Sequence, residues 1–242
     1  MTNSLDAAVP TARLQATVLM LTWVAGSIDA VGYFGLGRVF TANMTGNTVL
    51  LGLALGHGEA SAAVRSVVAL LGYMAGVAAG DVIVGFDAGD ISRSFRRAIS
   101  AEGMILILFT AAWHILGANG HLLLLLIFLS AVAMGIQSVA VRKLKLPGIV
   151  TTYITGTITS LVSGVVGGVK RQLSRKENVT GRADWEGRVK LQAAVFVIYG
   201  LSAAVSGLIQ SRWPAATNFS SLIAVGAVLL ITLHAGRVSA AD

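Results

Sequence analysis

Two short runs of the sequence gather hydrogen-bonding side chains around a glycine. The first is T-A-N-M-T-G-N, with Asn43, Thr45 and Asn47 about Gly46; the second is T-T-Y-I-T-G-T, with Thr151, Thr155 and Thr157 about Gly156. These residue types supply no nucleophile and no metal-ligand set. They offer short donors and acceptors that can cap a half-helix, in the first run one starting near Asn47, and a helix N-terminus presents free N–H groups and partial positive charge to a polar or anionic group. Tyr153 lies inside the second run, and Tyr33 precedes the first, one helical turn after Asp29 and on the same face. Asp29 stands in the apolar stretch W-V-A-G-S-I-D-A-V-G-Y, where an unpaired carboxylate would cost about 2.5–3.5 kcal/mol or more. It must therefore face the interior, as a proton or sodium site, a ligand contact, or a structural acceptor for donors of the first run. The two runs can equally be packing seams, with each Thr bonded to the preceding turn.

The elements that position these residues follow from composition. Of 242 residues, 55% are hydrophobic and 12% charged, against roughly 45–50% and about 25% in a soluble domain, and the mean hydropathy is +0.78. A membrane-spanning helix needs about 20 mostly apolar residues. Six stretches fit best: 14–36, 64–86, 99–116, 122–141, 189–209 and 220–234. The two Thr-rich segments, 39–56 and 149–169, are apolar but interrupted, and read as full crossings or as broken, re-entrant pieces.

Charge arbitrates between these counts. The chain carries 18 Lys and Arg against 11 Asp and Glu, a formal charge of +7, and short cytoplasmic loops are enriched in Lys and Arg. With six crossings and a cytoplasmic N-terminus, fifteen of the 18 bases fall inside, leaving Arg38, Arg65 and Arg212 outside. Eight crossings would put the Arg93, Arg96 and Arg97 cluster and the basic stretch 170–190 on opposite sides. Six crossings with two non-crossing segments is the reading adopted, with both termini cytoplasmic. The basic excess then serves topology, and nucleic acid is not expected as a partner.

Displacing the chain by 110 residues aligns Thr41 with Thr151, Thr45 with Thr155, Gly46 with Gly156 and Leu51 with Leu161, and one residue off that register Gly26 meets Gly135. One spanning segment precedes each T-x-x-x-T-G motif and two follow it. The chain thus reads as a single all-α membrane domain, residues 1–242, built of repeats at about 14–117 and 121–236. Three crossings per repeat invert one half relative to the other, a plan common among secondary transporters.

The absences are also informative. There is no cysteine, and the sequence has no phosphate-binding G-x-x-x-x-G-K-[ST] loop, dinucleotide glycine fingerprint or G-x-S-x-G elbow. The four histidines are dispersed without metal-ligand spacing. Neither an enzyme nor a cofactor or metal requirement is expected. The first residues, M-T-N-S-L-D, lack the basic start of a cleaved signal, so the first apolar segment is expected to remain. Asp81, near a cytoplasmic helix end, reads as interfacial, Gln137 as an uncharged counterpart of Asp29, and Gly72, Gly76 and Gly80 as a helix-contact face.

At G-S-I-D-A-V-G-Y from Gly26, V-F-T-A-N-M-T-G-N from Val39 and P-G-I-V-T-T-Y-I-T-G-T from Pro147, the chain resembles the YoaK-like family of small bacterial multi-pass membrane proteins. The resemblance covers nearly the whole chain and implies a bacterial cytoplasmic membrane; it supplies no substrate. The functional expectation is a small secondary transporter or channel-like carrier of a small polar solute, an anion included. Asn43, Thr45, Asn47, Thr151, Thr155, Thr157, Tyr33 and Tyr153 would bind solute, and Asp29 would couple to a cation. The lipid bilayer is the expected partner, and a homo-oligomer is compatible. The alternative is a non-transporting membrane scaffold that binds a partner protein.

Overall fold

The computed structural model describes residues 12–85, 91–117, 120–144, 154–173 and 179–238. They form eight α-helices: α1 Ala12–Gly35, α2 Met44–His57, α3 Ala60–Gly85, α4 Ile91–Leu116, α5 Gly120–Lys143, α6 Ile154–Leu173, α7 Val179–Arg212 and α8 Phe219–Val238. A bilayer favours this outcome, because helices satisfy their own backbone where no water can. Five are long and apolar enough to cross a membrane: α1, α3, α4, α5 and the Trp185–Arg212 part of α7. The sixth expected crossing, 220–234, falls on α8, whose apolar stretch Phe219–Thr232 is shorter.

Helix packing is set by small residues. Gly72, Gly76 and Gly80 form one face of α3, and a Cβ on any of them would strike α5: the Phe128 carbonyl at 2.8 Å, the Val132 carbonyl, and Val139 at 3.1 Å. Gly135 of α5 returns the contact against the Tyr73 carbonyl. These pairs keep the same order along both helices, so α3 and α5 run parallel. Gly26 lies against Tyr199 and Ser202, and Gly207 against the Phe34 ring, so α1 and α7 also run parallel. Further contacts join α4 to α5, α1 to α8, α4 to α8, α2 to α3 and α6 to α7. The buried apolar core is centred on α1, α4 and α5, with Leu21, Ile28, Ile99, Leu106, Phe109, Leu126, Ile127 and Met134 almost fully enclosed.

Contacts also fix where α1 and α3 meet. α1 is stopped by two successive left-handed residues, Gly37 at φ +80° and Arg38 at φ +64°, the second of which costs about 1–2 kcal/mol for an L side chain. The Arg65 Nε–H, one turn into α3, donates to the Gly37 carbonyl at 3.0 Å, and the Trp113 indole near the end of α4 lies against Gly35. The end of α1, the start of α3 and the end of α4 therefore share one end of the molecule. α2 has 14 residues, about 21 Å at 1.5 Å per residue.

Candidate functional site

After Arg38 the chain turns back along α1. Gly32 faces the Val39 carbonyl, where a Cβ would sit at 2.6 Å, and one turn deeper Asp29 faces Thr41 and Ala42. The segment 39–43 thus descends along the last turns of α1 and bends at Thr41 and Ala42, at the level of Asp29, about 9 Å below Gly35. Asp29 is 3% exposed. Its Oδ1 accepts the backbone N–H of Thr41 at 2.8 Å and of Ala42 at 2.7 Å, with Asn43 further off at 3.4 Å. The Tyr199 hydroxyl of α7 donates to its Oδ2. One carboxylate therefore ties the loop, α1 and α7 together. Successive backbone N–H groups make a concavity suited to an anion, and here the chain's own side chain fills it.

The rest of the first run is committed in the same way. The Asn43 side chain accepts the Gly46 N–H at 3.2 Å and caps α2, so the helix begins at Met44, not near Asn47 as the pattern of cap-competent residues suggests. Asn47 is fully buried; its Oδ1 accepts the Phe40 N–H at 2.9 Å and its Nδ2 donates to the Phe40 carbonyl. This amide closes a cyclic pair with one backbone unit, as a neighbouring strand would. Tyr33, 39% exposed, stacks on Phe40 with ring centroids 5.7 Å apart. Thr45 is exposed on α2.

In the second run, Thr155 is exposed near the start of α6, where its carbonyl accepts the Thr159 hydroxyl at 3.0 Å, and Thr157 is buried. Thr151 and Tyr153 lie outside the described residues. The structure thus gathers Asp29, Asn43, Asn47 and Tyr33 around one loop, and places Thr155 and Thr157 on α6, which packs on α7. Asp81 pairs with Arg142 at 3.0 Å, both side chains more than half exposed. Gln137 donates to the Leu21 carbonyl of α1 at 3.0 Å. Among the described residues no group of three or more His, Cys, Asp or Glu could hold a metal ion.

Some polar groups were not anticipated. Buried hydroxyls of Ser27 on α1, Thr41 in the loop, Ser206 on α7 and Ser221 on α8, and both amide atoms of Asn218, have no hydrogen-bond partner. All belong to the loop, to α1, to α7 or α8, which pack on α1, or to the turn between those two. Glu102 of α4 is fully buried with both carboxyl oxygens unpartnered. Its signal was in the sequence: Phe95, Ile99, Glu102, Leu106 and Phe109 recur at alternating spacings of four and three, so the acid interrupts an apolar stripe that faces the core.

The chain matches the family described as "Protein of unknown function (DUF1275)" over residues 17–235. It is similar to the UPF0700 transmembrane protein YoaK of Bacillus subtilis (strain 168), with 35% identity over 191 residues, 78% of this chain and 80% of that protein. No solved structure matches it.

Proposed function

The chain belongs to the DUF1275 family, and on that premise we propose that this multi-pass membrane protein is a non-enzymatic carrier or channel for a small polar solute, built of two inverted repeats. The observation that carries the reading is the matched packing of the two halves. α1 packs parallel to α7 as α5 packs parallel to α3; α2 meets α3 as α6 meets α7; α1 meets α8 as α5 meets α4. The correspondence reaches single residues. Gly26 sits on Tyr199, whose hydroxyl donates to Asp29 three residues further along α1. Gly135 sits on Tyr73, whose hydroxyl donates at 2.7 Å to Ser138 three residues further along α5. Ser138 is thus the better counterpart of Asp29 than Gln137. Such pseudo-symmetry is the framework on which many transporters alternate access.

Six crossings with α2 and α6 non-crossing agree with this arrangement. If α2 spanned the bilayer, α1 would end on the side opposite the start of α3, whereas Arg65 reaches Gly37. Termini in the cytoplasm are what the distribution of Lys and Arg favours, and residence in a bacterial cytoplasmic membrane is what the likeness to a Bacillus transmembrane protein implies. The solute contacts best supported are the unpartnered polar groups of Ser27, Thr41, Ser206, Asn218 and Ser221, with Asp29 and Asn47 holding the loop that presents them. The internal commitment of Asp29, Asn43 and Asn47 also supports the second reading, a partner-binding scaffold in which this loop only packs helices.

Flux through proteoliposomes across a panel of small polar solutes separates the two. The carrier reading expects at least one solute to move with intact protein and to slow when Ser206 and Ser221 are both replaced by leucine. Failure of every solute to move leaves the scaffold.

A further inference from the structure

Among the described residues two carboxyls are buried, Asp29 on α1 and Glu102 on α4, and they stand in opposite situations. Asp29 accepts two close backbone N–H groups and a tyrosine hydroxyl. Glu102 accepts nothing. It lies eleven residues from the start of α4 and fourteen from its end, about 17 and 21 Å from the two helix ends, close to mid-depth. Around it on α4 are Ala98, Ile99 and Leu106, and the adjacent Gly103 faces Val225 and Leu229 of α8.

Among the described residues no charge on the packed elements offsets it. α4 packs on α3, α5 and α8. On α3, Arg65 is engaged with the Gly37 carbonyl, Tyr73 with Ser138, and Asp81 with Arg142 of α5; of the other bases of α5, His121 stands in its first turn and Lys143 is exposed at its end. The Phe219–Thr232 stretch of α8 contains no titratable residue, and His234 and Arg237 follow it in the last turns. On α4 itself, Arg93, Arg96 and Arg97 occupy the first two turns and His114 the last.

An ionised carboxyl so placed has lost water and gained no donor, a cost of several kcal/mol, and a bound cation is what removes it. A metal cation would need several oxygen ligands, which Ala98, Ile99, Leu106, Val225 and Leu229 do not provide. A proton needs only the carboxyl.

We propose that Glu102 is a reversible proton-binding site at the centre of the α3–α4–α5–α8 packing, one carboxylate taking up one proton to give a carboxylic acid and returning it when water reaches the site. Asp29 is a different kind of group, because its acceptor positions are held by the loop and by Tyr199. The site itself does not depend on transport; its use as the coupling group for solute movement rests on the carrier reading above.

The test is a pH-difference infrared spectrum of the full-length protein reconstituted in lipid. The expected result is a carboxylic-acid carbonyl band that disappears reversibly as pH rises, is absent in Glu102→Gln, is shifted in Glu102→Asp and is unchanged in Asp29→Asn. A Glu102 band that persists at every pH at which the protein stays folded, or a pH-dependent band that survives in Glu102→Gln, overturns the proposal. Should Glu102→Gln fail to fold, the Glu102→Asp comparison decides alone: an unshifted band overturns the assignment. Because the spectrum requires no solute, titration of Glu102 with no flux refutes only the carrier, and flux with a pH-inert Glu102 refutes only the proton site.

Discussion

Replacing Asp29 by alanine should loosen the loop, and the size of the effect can be worked from its contacts. The substitution strands three buried donors: the N–H groups of Thr41 and Ala42, at 2.8 and 2.7 Å, and the Tyr199 hydroxyl. Each buried donor left unmade costs about 1–3 kcal/mol. The Asn43 contact at 3.4 Å is too long to add much. Water entering at the nearby end of α1 recovers part, so the low end of the range applies, about 3 kcal/mol in all. For a chain of this length that corresponds to a fall of about 6–12 °C in Tm. Asp29→Asn behaves differently. Its Oδ1 still accepts Thr41 and Ala42, the Tyr199 hydroxyl rotates to accept from the new amide, and only the charge assistance is lost, about 1 kcal/mol. Thermal unfolding of the purified protein in one detergent measures both variants. A single cysteine placed at Thr41, fully buried in the native fold, gives a second readout: maleimide labelling should be slow in the parent and in Asp29→Asn, and fast in Asp29→Ala. Equal losses for asparagine and alanine would refute the geometric argument, since charge alone would then account for the site. An unchanged Tm in Asp29→Ala would refute the anchor altogether.

Three further outcomes follow from the same contacts. Tyr199→Phe removes the one side-chain donor to Asp29 among the described residues and should cost about 1–2 kcal/mol, whereas Tyr73→Phe should cost less, because the Ser138 hydroxyl keeps its bond to the Met134 carbonyl at 2.9 Å; paired thermal melts check the order. Gly76→Leu should prevent α3 from docking on the α5 backbone and abolish a folded monodisperse peak on size exclusion, while Gly52→Leu on α2, with nothing within 4 Å, should elute as the parent does. Cysteines at Arg38 and Arg97 should react with an impermeant maleimide from opposite sides of oriented vesicles, and labelling from one side would exclude the six-crossing topology.

The parts of the fold visible in the sequence were those governed by length and local chemistry. A bilayer demands about 20 apolar residues per crossing, and five helices answer to that demand directly; the glycines of α3 announced a close helix contact by spacing alone, and Asn43 announced a cap. The helix start was displaced because three candidate caps, Asn43, Thr45 and Asn47, fall within five residues. Only the three-dimensional return of the chain shows that Asn47 spends its amide on Phe40. The role of Asp29 was open for the same reason: its acceptors' partners come from twelve to fourteen residues and 170 residues away, separations that helix periodicity does not encode. Glu102 was hidden by its neighbours, since R-S-F-R-R-A-I-S-A-E-G reads as a polar interfacial turn until the stripe from Phe95 to Phe109 is followed through it.

The two carboxyls make the functional argument sharper than either alone. A buried acid whose acceptor sites are occupied by backbone N–H groups is part of the backbone's own bookkeeping: it exists to let an irregular segment leave the helix at membrane depth, where each unmet N–H would otherwise cost several kcal/mol. A buried acid with no donors performs no such service, and a solvent-free core would be more stable with leucine or glutamine in its place. Its presence therefore needs a reason outside folding. If that reason were only residual tolerance, Glu102→Gln should raise stability and leave every other property of the membrane-embedded protein unchanged; if it is proton exchange, the same variant should gain stability and lose the pH response. The gain is common to both, so the pH response decides between them.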